Sequence, residues 1–357
     1  MYDVVIIGAG PAGSTLARML DKKYKVLLID QRDSASDVRE KPCGGLLAPD
    51  AQGMLAQLGL GIPRDILVGP QVFGVKTIDF DNSLERYYQR HYLNISRDKF
   101  DKWLSSLIPR NVEFECSCIY KSHSILGDDI EVCLRKNDSE SFIKTKILVG
   151  ADGPMSRVRE QVFKNSTLPD KYVSIQNWYK TDGKIPYYIS VFDKEVTDFY
   201  SWIIQKENYL LIGSAIPHCG DANAKFSLLL EKLKRYGFQI GDLHKKTGSL
   251  IMRTRKLQQI NTAKEKIALV GEAAGFISPS SAEGISYALL SASYLAKSIN
   301  KNYDNFRHEY AKQARKIKRN IFMKNIKIPF MYNSFIRKLI MKSGILSMKV
   351  IDSEEQR

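Results

Sequence analysis

Gly8, Gly10 and Gly13 form a Gly-x-Gly-x-x-Gly run between an apolar segment, residues 4–7, and an Ala/Leu-rich segment that reaches Leu20. Few short runs restrict a fold so strongly. The first glycine permits a tight turn, the second lets backbone approach a pyrophosphate, and the third lets a helix pack close on the preceding strand. A helix starting here turns free N–H groups and a partial positive charge toward an anion. Residues 25–30 read as a second apolar strand ending at Asp30, where a carboxylate accepts from ribose hydroxyls. A bare glycine run would read equally as a tight turn. With strand, helix and acid in register, it predicts a βαβ dinucleotide-binding unit.

Two later segments, 145–152 and 266–271, have the same buried-strand character. Apolar strands alternating with helices point to a parallel sheet covered on both faces. After these strands come Gly150, Asp152 and Gly153, with Ser156 and Arg159, and then Gly271, Glu272 and Gly275. Each group alone reads as a strand-to-helix turn. Together they bring glycine turns and carboxylates to the carboxyl edge of one sheet, where a two-part cofactor such as FAD fits better than a single nucleotide.

Residues 70–93 and 170–255 are rich in Tyr, Phe, Ile, Val and Thr and alternate as antiparallel strands with one exposed face do. The expected fold class is therefore α/β: a Rossmann-like FAD-binding domain (1–69, 94–169 and 256–300) with an inserted, mainly antiparallel β substrate domain (70–93 and 170–255). A basic helical tail, 301–357, completes it. Five cysteines lack metal or disulfide spacing, and Cys116 and Cys118 read as core residues on one strand face. The five histidines are scattered, so no metal is expected. The hydrolase elbow, zinc-protease and P-loop motifs are missing.

The set of motifs resembles a known superfamily. Residues 8–13, Arg97 to Asp101, 150–159 and 271–275 occur in the order seen in FAD-dependent monooxygenases of the para-hydroxybenzoate hydroxylase type and in the geranylgeranyl reductases. Lys41, Pro42, Cys43, Gly44 and Gly45 resemble the reductase branch, as do Tyr200, Trp202 and Gly213, and within it the sequence resembles the CbrA-type bacterial proteins. Ile204, Gln205 and Glu272 depart from the branch, which has Phe, Pro and Asp there. The resemblance implies FAD held by Gly8, Gly10, Ala12, Gly13, Asp30, Gly44, Gly45, Arg97, Asp152, Gly153, Gly271, Glu272 and Gly275. It puts Cys43 beside the flavin as the candidate proton donor, and Tyr200 and Trp202 along an apolar substrate pocket. Flavin halogenases are relatives too, but their lysine motif is not evident.

The implied function is FAD-dependent reduction of alkene bonds in an isoprenoid-like lipid, by hydride transfer from reduced flavin. An oxygen-using hydroxylase of aromatic or other apolar small molecules, and a non-catalytic flavin- and lipid-binding protein, are the alternatives. A single dinucleotide fingerprint leaves the electron donor as transient NAD(P)H or a reduced carrier protein. The N-terminus reads as no secretory leader and no apolar run spans a bilayer, which suggests a cytoplasmic protein.

Lys and Arg number 54 against 39 Asp and Glu, and 11 of the 15 net positive charges lie in residues 301–350. There Phe306, Tyr310, Ala314, Ile317 and Ile321 make one helical face, and Phe335, Ile336, Leu339 and Ile340 a second beside Arg337 and Lys338. Without a recognition module, nucleic acid is not expected. Two readings of the tail follow: a helix pair packed on the domain with a solvated basic side, or a peripheral anchor on an anionic membrane at its cytoplasmic face.

Overall fold

The computed structural model describes residues 1–33 and 42–348, so Lys41 lies outside the described residues. The first sheet has a parallel core in the order Ile267–Leu269, Ser139–Gly150, Tyr2–Ile7, Val26–Ile29 and Val112–Glu115. Val4, Ile6, Leu28 and Leu148 are fully buried because helices and the strands Cys118–Leu126 and Asp129–Lys136 pack into one core around the sheet's two faces. The helix Pro11–Met19 and the long helix Ile285–Lys301 pack together on one of them. Ser139–Gly150 does double duty: its first half pairs with Asp129–Lys136 in an antiparallel arm, and its second half enters the parallel core.

The second sheet runs Leu243–Arg253, Asp170–Lys180, Tyr209–Pro217, Ser201–Lys206, Tyr188–Phe192, Val72–Asp79 and Leu84–Asn94, closed by Ser347–Met348. Its pairs are antiparallel except Tyr188–Phe192 against Val72–Asp79, which is parallel. The expectation of one exposed face fails for the central strands: Ser201–Lys206 is buried at every position. The reason is cover on both sides. Ile203, Ile212 and Leu210 pack under Phe226, Leu229 and Leu233 of the helix Ala222–Arg235, while Trp202, Ile204 and Leu211 face the other way.

Cys116 and Cys118 do not share a strand. Val112–Glu115 ends before them, Ser117 turns at φ 54°, and Cys118 opens the next strand.

The tail is packed, and it differs from its expected pattern at one point. Phe306, Tyr310, Ala314, Ile317 and Ile321 of the helix Phe306–Ile326 are buried in the first domain's core, with Tyr310 Oη donating to Leu269 O at 2.8 Å. In the helix Ser334–Ser343, however, the inward residues are Arg337 and Met341, and Phe335 and Leu339 are exposed. Arg337 donates to both oxygens of buried Asp79 at 2.8 Å and to Asp81 at 2.7 Å. A buried pair of carboxylates on the second sheet outcompetes apolar packing for that face, since leaving them unpaired is costlier than exposing leucine.

Candidate functional site

The glycine loop is shaped by contacts that only glycine permits. Gly8 has φ 103°, and a Cβ on Gly13 would fall 1.8 Å from the Gly8 carbonyl oxygen, so the helix sits directly against the turn. Gly10 is different. A Cβ there would meet nothing within 4 Å, because Gly10 faces the open cleft. The Pro11–Met19 helix leaves the N–H groups of Ala12 and Gly13 without intrahelical acceptors at that cleft. This is an anion cradle that added side chains would fill, and it suits a diphosphate.

Asp30 closes the turn as well as facing the cleft. Its Oδ2 accepts from Ala9 N at 2.7 Å, and Arg32 donates to both carboxylate oxygens. Burial pushes the Asp30 carboxyl up, but the bonds and charge of Arg32 and the backbone N–H groups outweigh it and hold the acid below its ordinary range. A ribose hydroxyl bound here would share this carboxylate with Arg32. The charges continue along the cleft: Arg32 lies 3.7 Å from Asp101, and Asp101 accepts from Arg97 Nε at 2.8 Å. Burial works against the Arg97 guanidinium, yet Asp101 and Cys43 hold it firmly charged.

The other two loops meet the first at the carboxyl edge of the sheet. Asp152 Oδ2 accepts from Arg157 N at 2.9 Å, while its Oδ1 is buried without a protein partner and borders the cleft. Burial pushes this carboxyl up, against the bonds from Ser156 and the backbone. An orphaned acceptor here fits a cofactor hydroxyl. Gly153, Gly271, Glu272 and Gly275 lie on the adjoining turns, and Glu272 also accepts from Met252 N. Fully buried Arg159 ties the loops together by donating to Glu272 O, Ala273 O and Pro154 O.

Residues 42–45 cross from this cleft to the second sheet. Gly45 N donates to Cys43 Sγ at 3.4 Å, and Lys206, buried beneath the loop, donates to Gly45 O, Ile95 O and Asn94 Oδ1. Burial pulls the Lys206 ammonium down to about 7, while three oxygen acceptors match its three N–H donors. A Cβ on Gly44 would lie 2.8 Å from Ile204, so the loop rests on this side chain, one of the departures from the branch pattern. The other departure, Gln205, straps a loop: it accepts from Ile185 N and donates to Gly183 O and Glu207 O.

Tyr200 and Trp202 stand with ring centroids 5.6 Å apart on the same wall. Gly213 lies opposite Trp202 in the sheet, and a Cβ there would come within 2.4 Å of the indole. The spacing of Trp202 and Gly213 is thus a packing requirement: the ring lies flat over a bare backbone. Trp202 Nε1 and Gln176 Oε1, both on the cavity wall, are buried without protein partners. Tyr200 Oη donates to Ser281 O at 2.7 Å, and Tyr92 Oη donates to Glu283 Oε1 at 3.2 Å. Burial pushes the Glu283 carboxyl up. One cavity of about 1630 Å³ joins the glycine loop, residues 42–45, Glu283 and the aromatic wall.

Of the residues expected to hold cofactor and substrate, all but Gly13, Gly271 and Gly275 line one space, and those three sit in the turns behind it. Arg32 and Glu283 line it too, with Lys206 buried behind residues 42–45, and the sequence assigned none of these three a site role. Glu283 alone carried a local signal: a carboxylate beside Gly284, shortly after the third glycine turn. Metal-like clusters of His, Cys, Asp and Glu do not occur among the described residues.

Comparison with known proteins agrees with this geometry. The FAD binding domain family matches residues 1–177. Protein CbrA of Escherichia coli O9:H4 (strain HS) is 41% identical over 345 residues, covering 96% of this chain and 94% of that protein. Among solved structures, a geranylgeranyl bacteriochlorophyll reductase-like protein from Thermoplasma acidophilum superposes with a TM-score of 0.81 at 20% identity, over 99% of this chain and 93% of that one. A triple mutant of the flavin-dependent brominase Bmp2 gives 0.73 at 18% identity, over 97% and 94%. These two structures share the fold.

Proposed function

The chain belongs to the family of bacterial CbrA proteins and is an FAD-dependent oxidoreductase by its cofactor domain, and on that premise we propose that it reduces carbon–carbon double bonds of a long, isoprenoid-like lipid. The observation that carries the proposal is the shape of the cavity. It continues past the glycine loops onto the inner face of the second sheet, between Tyr188, Phe192, Trp202, Ile204 and Ile251. An elongated apolar molecule fits such a wall, with Trp202 Nε1 and Gln176 Oε1 to orient a polar group. FAD, once bound, supplies the two-electron chemistry. Its reductant, NAD(P)H or a reduced carrier protein, is a transient partner.

Reducing an alkene also needs a proton for the second carbon. Cys43 is one candidate, held beside the Arg97 guanidinium. Glu283 is the better donor. Its carboxyl is pushed toward the protonated form by burial, it receives a bond from Tyr92, and it borders the same cavity. Arg97 and Lys206 then serve to fix Cys43 and the 42–45 loop.

The test is anaerobic. Dithionite-reduced holoenzyme is mixed with geranylgeraniol or geranylgeranyl diphosphate, flavin reoxidation is followed by absorbance, and products are weighed by mass spectrometry. The expected product gains two hydrogens per bond reduced, without oxygen. Glu283→Gln slows reoxidation by about 10²–10⁴-fold, the usual range for a general acid, and Cys43→Ser slows it far less. Reoxidation only in air, with one oxygen atom gained by the product, supports a hydroxylase instead. Flavin reduction and reoxidation that neither lipid accelerates sinks the reductase reading.

A further inference from the structure

The tail helix Phe306–Ile326 spends its apolar face on the domain, and that burial stops at Ile321. Beyond it, eight large apolar side chains from Phe322 to Leu346 are exposed, from 48% at Ile326 to 88% at Leu346. Isolated exposed apolar residues need no explanation, but a concentration of them marks an interaction surface. This segment is not loose. Arg337 fixes it to Asp79 and Asp81, Arg86 donates to Met341 O, and Ser347–Met348 pairs with Tyr87 and Tyr88.

Its charge is one-sided. The sequence holds no acidic residue between Glu309 and Asp352 but 11 Lys and Arg in residues 311–350, of which Lys327 and Lys342 are exposed beside the apolar patch. The same segment borders the large cavity through Lys324, Lys327, Phe330, Ile340, Ile345 and Leu346. An apolar surface edged by lysines, held rigidly beside the opening of an apolar cavity, complements an anionic bilayer surface. A helix long and apolar enough to cross a membrane does not occur among the described residues. Attachment is therefore by surface docking.

We propose that residues 322–346 dock the protein on anionic lipid headgroups, with Phe330, Phe335, Ile345 and Leu346 entering the interface, so that the cavity opens toward the bilayer. This deepens the lipid-reductase reading, but its test is read without turnover, so either can fail alone. The FAD-loaded full chain is sedimented with vesicles of phosphatidylcholine, or of phosphatidylcholine with phosphatidylglycerol, at low and high salt. Wild type pellets with the anionic vesicles and is released by salt. Basic residues near headgroups contribute about fivefold each in partitioning, so Lys327→Glu with Lys342→Glu lowers binding by at least about 30-fold. Phe335→Ser with Leu346→Ser lowers it as well, with an unchanged melting temperature, since both side chains are exposed. Equal recovery with neutral and anionic vesicles, no binding at low salt, or indifference to both double variants overturns the proposal. So does a stable dimer in light scattering that Phe335→Ser with Leu346→Ser dissociates, because a second copy would then own the patch.

Discussion

Gly10 and Gly13 lie three residues apart in one motif, yet their substitution should fail in different ways. A side chain at Gly10 finds open space and projects into the cleft, whereas one at Gly13 collides with the Gly8 carbonyl at 1.8 Å. Gly10→Val therefore leaves the apoprotein nearly intact, at a cost of about 1 kcal/mol for a poorer residue at the helix N-cap. Its isopropyl group instead occupies the space where a pyrophosphate reaches the N–H groups of Ala12 and Gly13. Hydrogen bonds to a charged group are worth about 1.5–3 kcal/mol each, so losing two removes about 3–6 kcal/mol. That corresponds to about 10²- to 10⁴-fold weaker FAD binding. Gly13→Ala breaks the turn itself, and its apoprotein should melt well below wild type. The assay pairs FAD titration of the apoproteins, by quenching of flavin fluorescence, with their thermal melts. A Gly10→Val protein that binds FAD within tenfold of wild type, or melts as low as Gly13→Ala, would refute the reasoning.

Asp152→Ala removes the buried, unpartnered Oδ1 acceptor and should weaken FAD binding by about 5- to 150-fold, equivalent to one hydrogen bond of about 1–3 kcal/mol; an unchanged dissociation constant returns Asp152 to helix capping alone. Arg337→Met strands Asp79 and Asp81 and should destabilise the tail clasp by about 3–5 kcal/mol, read by hydrogen exchange in the Ser334–Ser343 helix; unaltered protection there rules out the clasp. Glu283 has a raised carboxyl in the folded state, so the folded protein holds a proton that the unfolded chain releases above about pH 4.5. Wild type should lose stability as pH rises from there through the folded-state value, and Glu283→Gln should not. The gap between their denaturation midpoints should widen over that window and then level off, and a gap that does not change with pH contradicts a buried, protonated Glu283.

Local periodicity carried much of the fold. The glycine run, its two flanking strands and the five-residue face from Phe306 to Ile321 are set by near neighbours, and the structure packs them in the expected way. What escaped the sequence depends on partners far away in the chain. Asp30 is shared with Arg32 because the side chain folds back onto it, which no spacing rule reveals. Lys206 reaches Gly45 across 161 residues, and nothing around it in the sequence distinguishes it from a surface lysine. Arg337 points inward because Asp79, 258 residues earlier, demands it, so the apolar pattern of that helix predicted the wrong face. The double cover of Ser201–Lys206 was hidden for the same reason: alternation records side-chain direction, not what lies beyond each face.

The parallel pairing of Val72–Asp79 with Tyr188–Phe192 also constrains the order in which the chain can be completed on the ribosome. Neither unit closes early. The first sheet waits for Ile267–Leu269 to join Ser139–Gly150, and the second waits for Tyr188–Phe192 to cover an edge laid down more than a hundred residues before. Until the tail emerges, buried Asp79 has no arginine and the Leu84–Asn94 strand lacks Ser347–Met348. Nascent chains thus carry an open β edge and a stranded carboxylate through most of translation, the kind of exposure that invites aggregation or chaperone capture. A premature stop near residue 330 would for this reason do its damage about 250 residues upstream of the lesion, in a domain whose own sequence is intact.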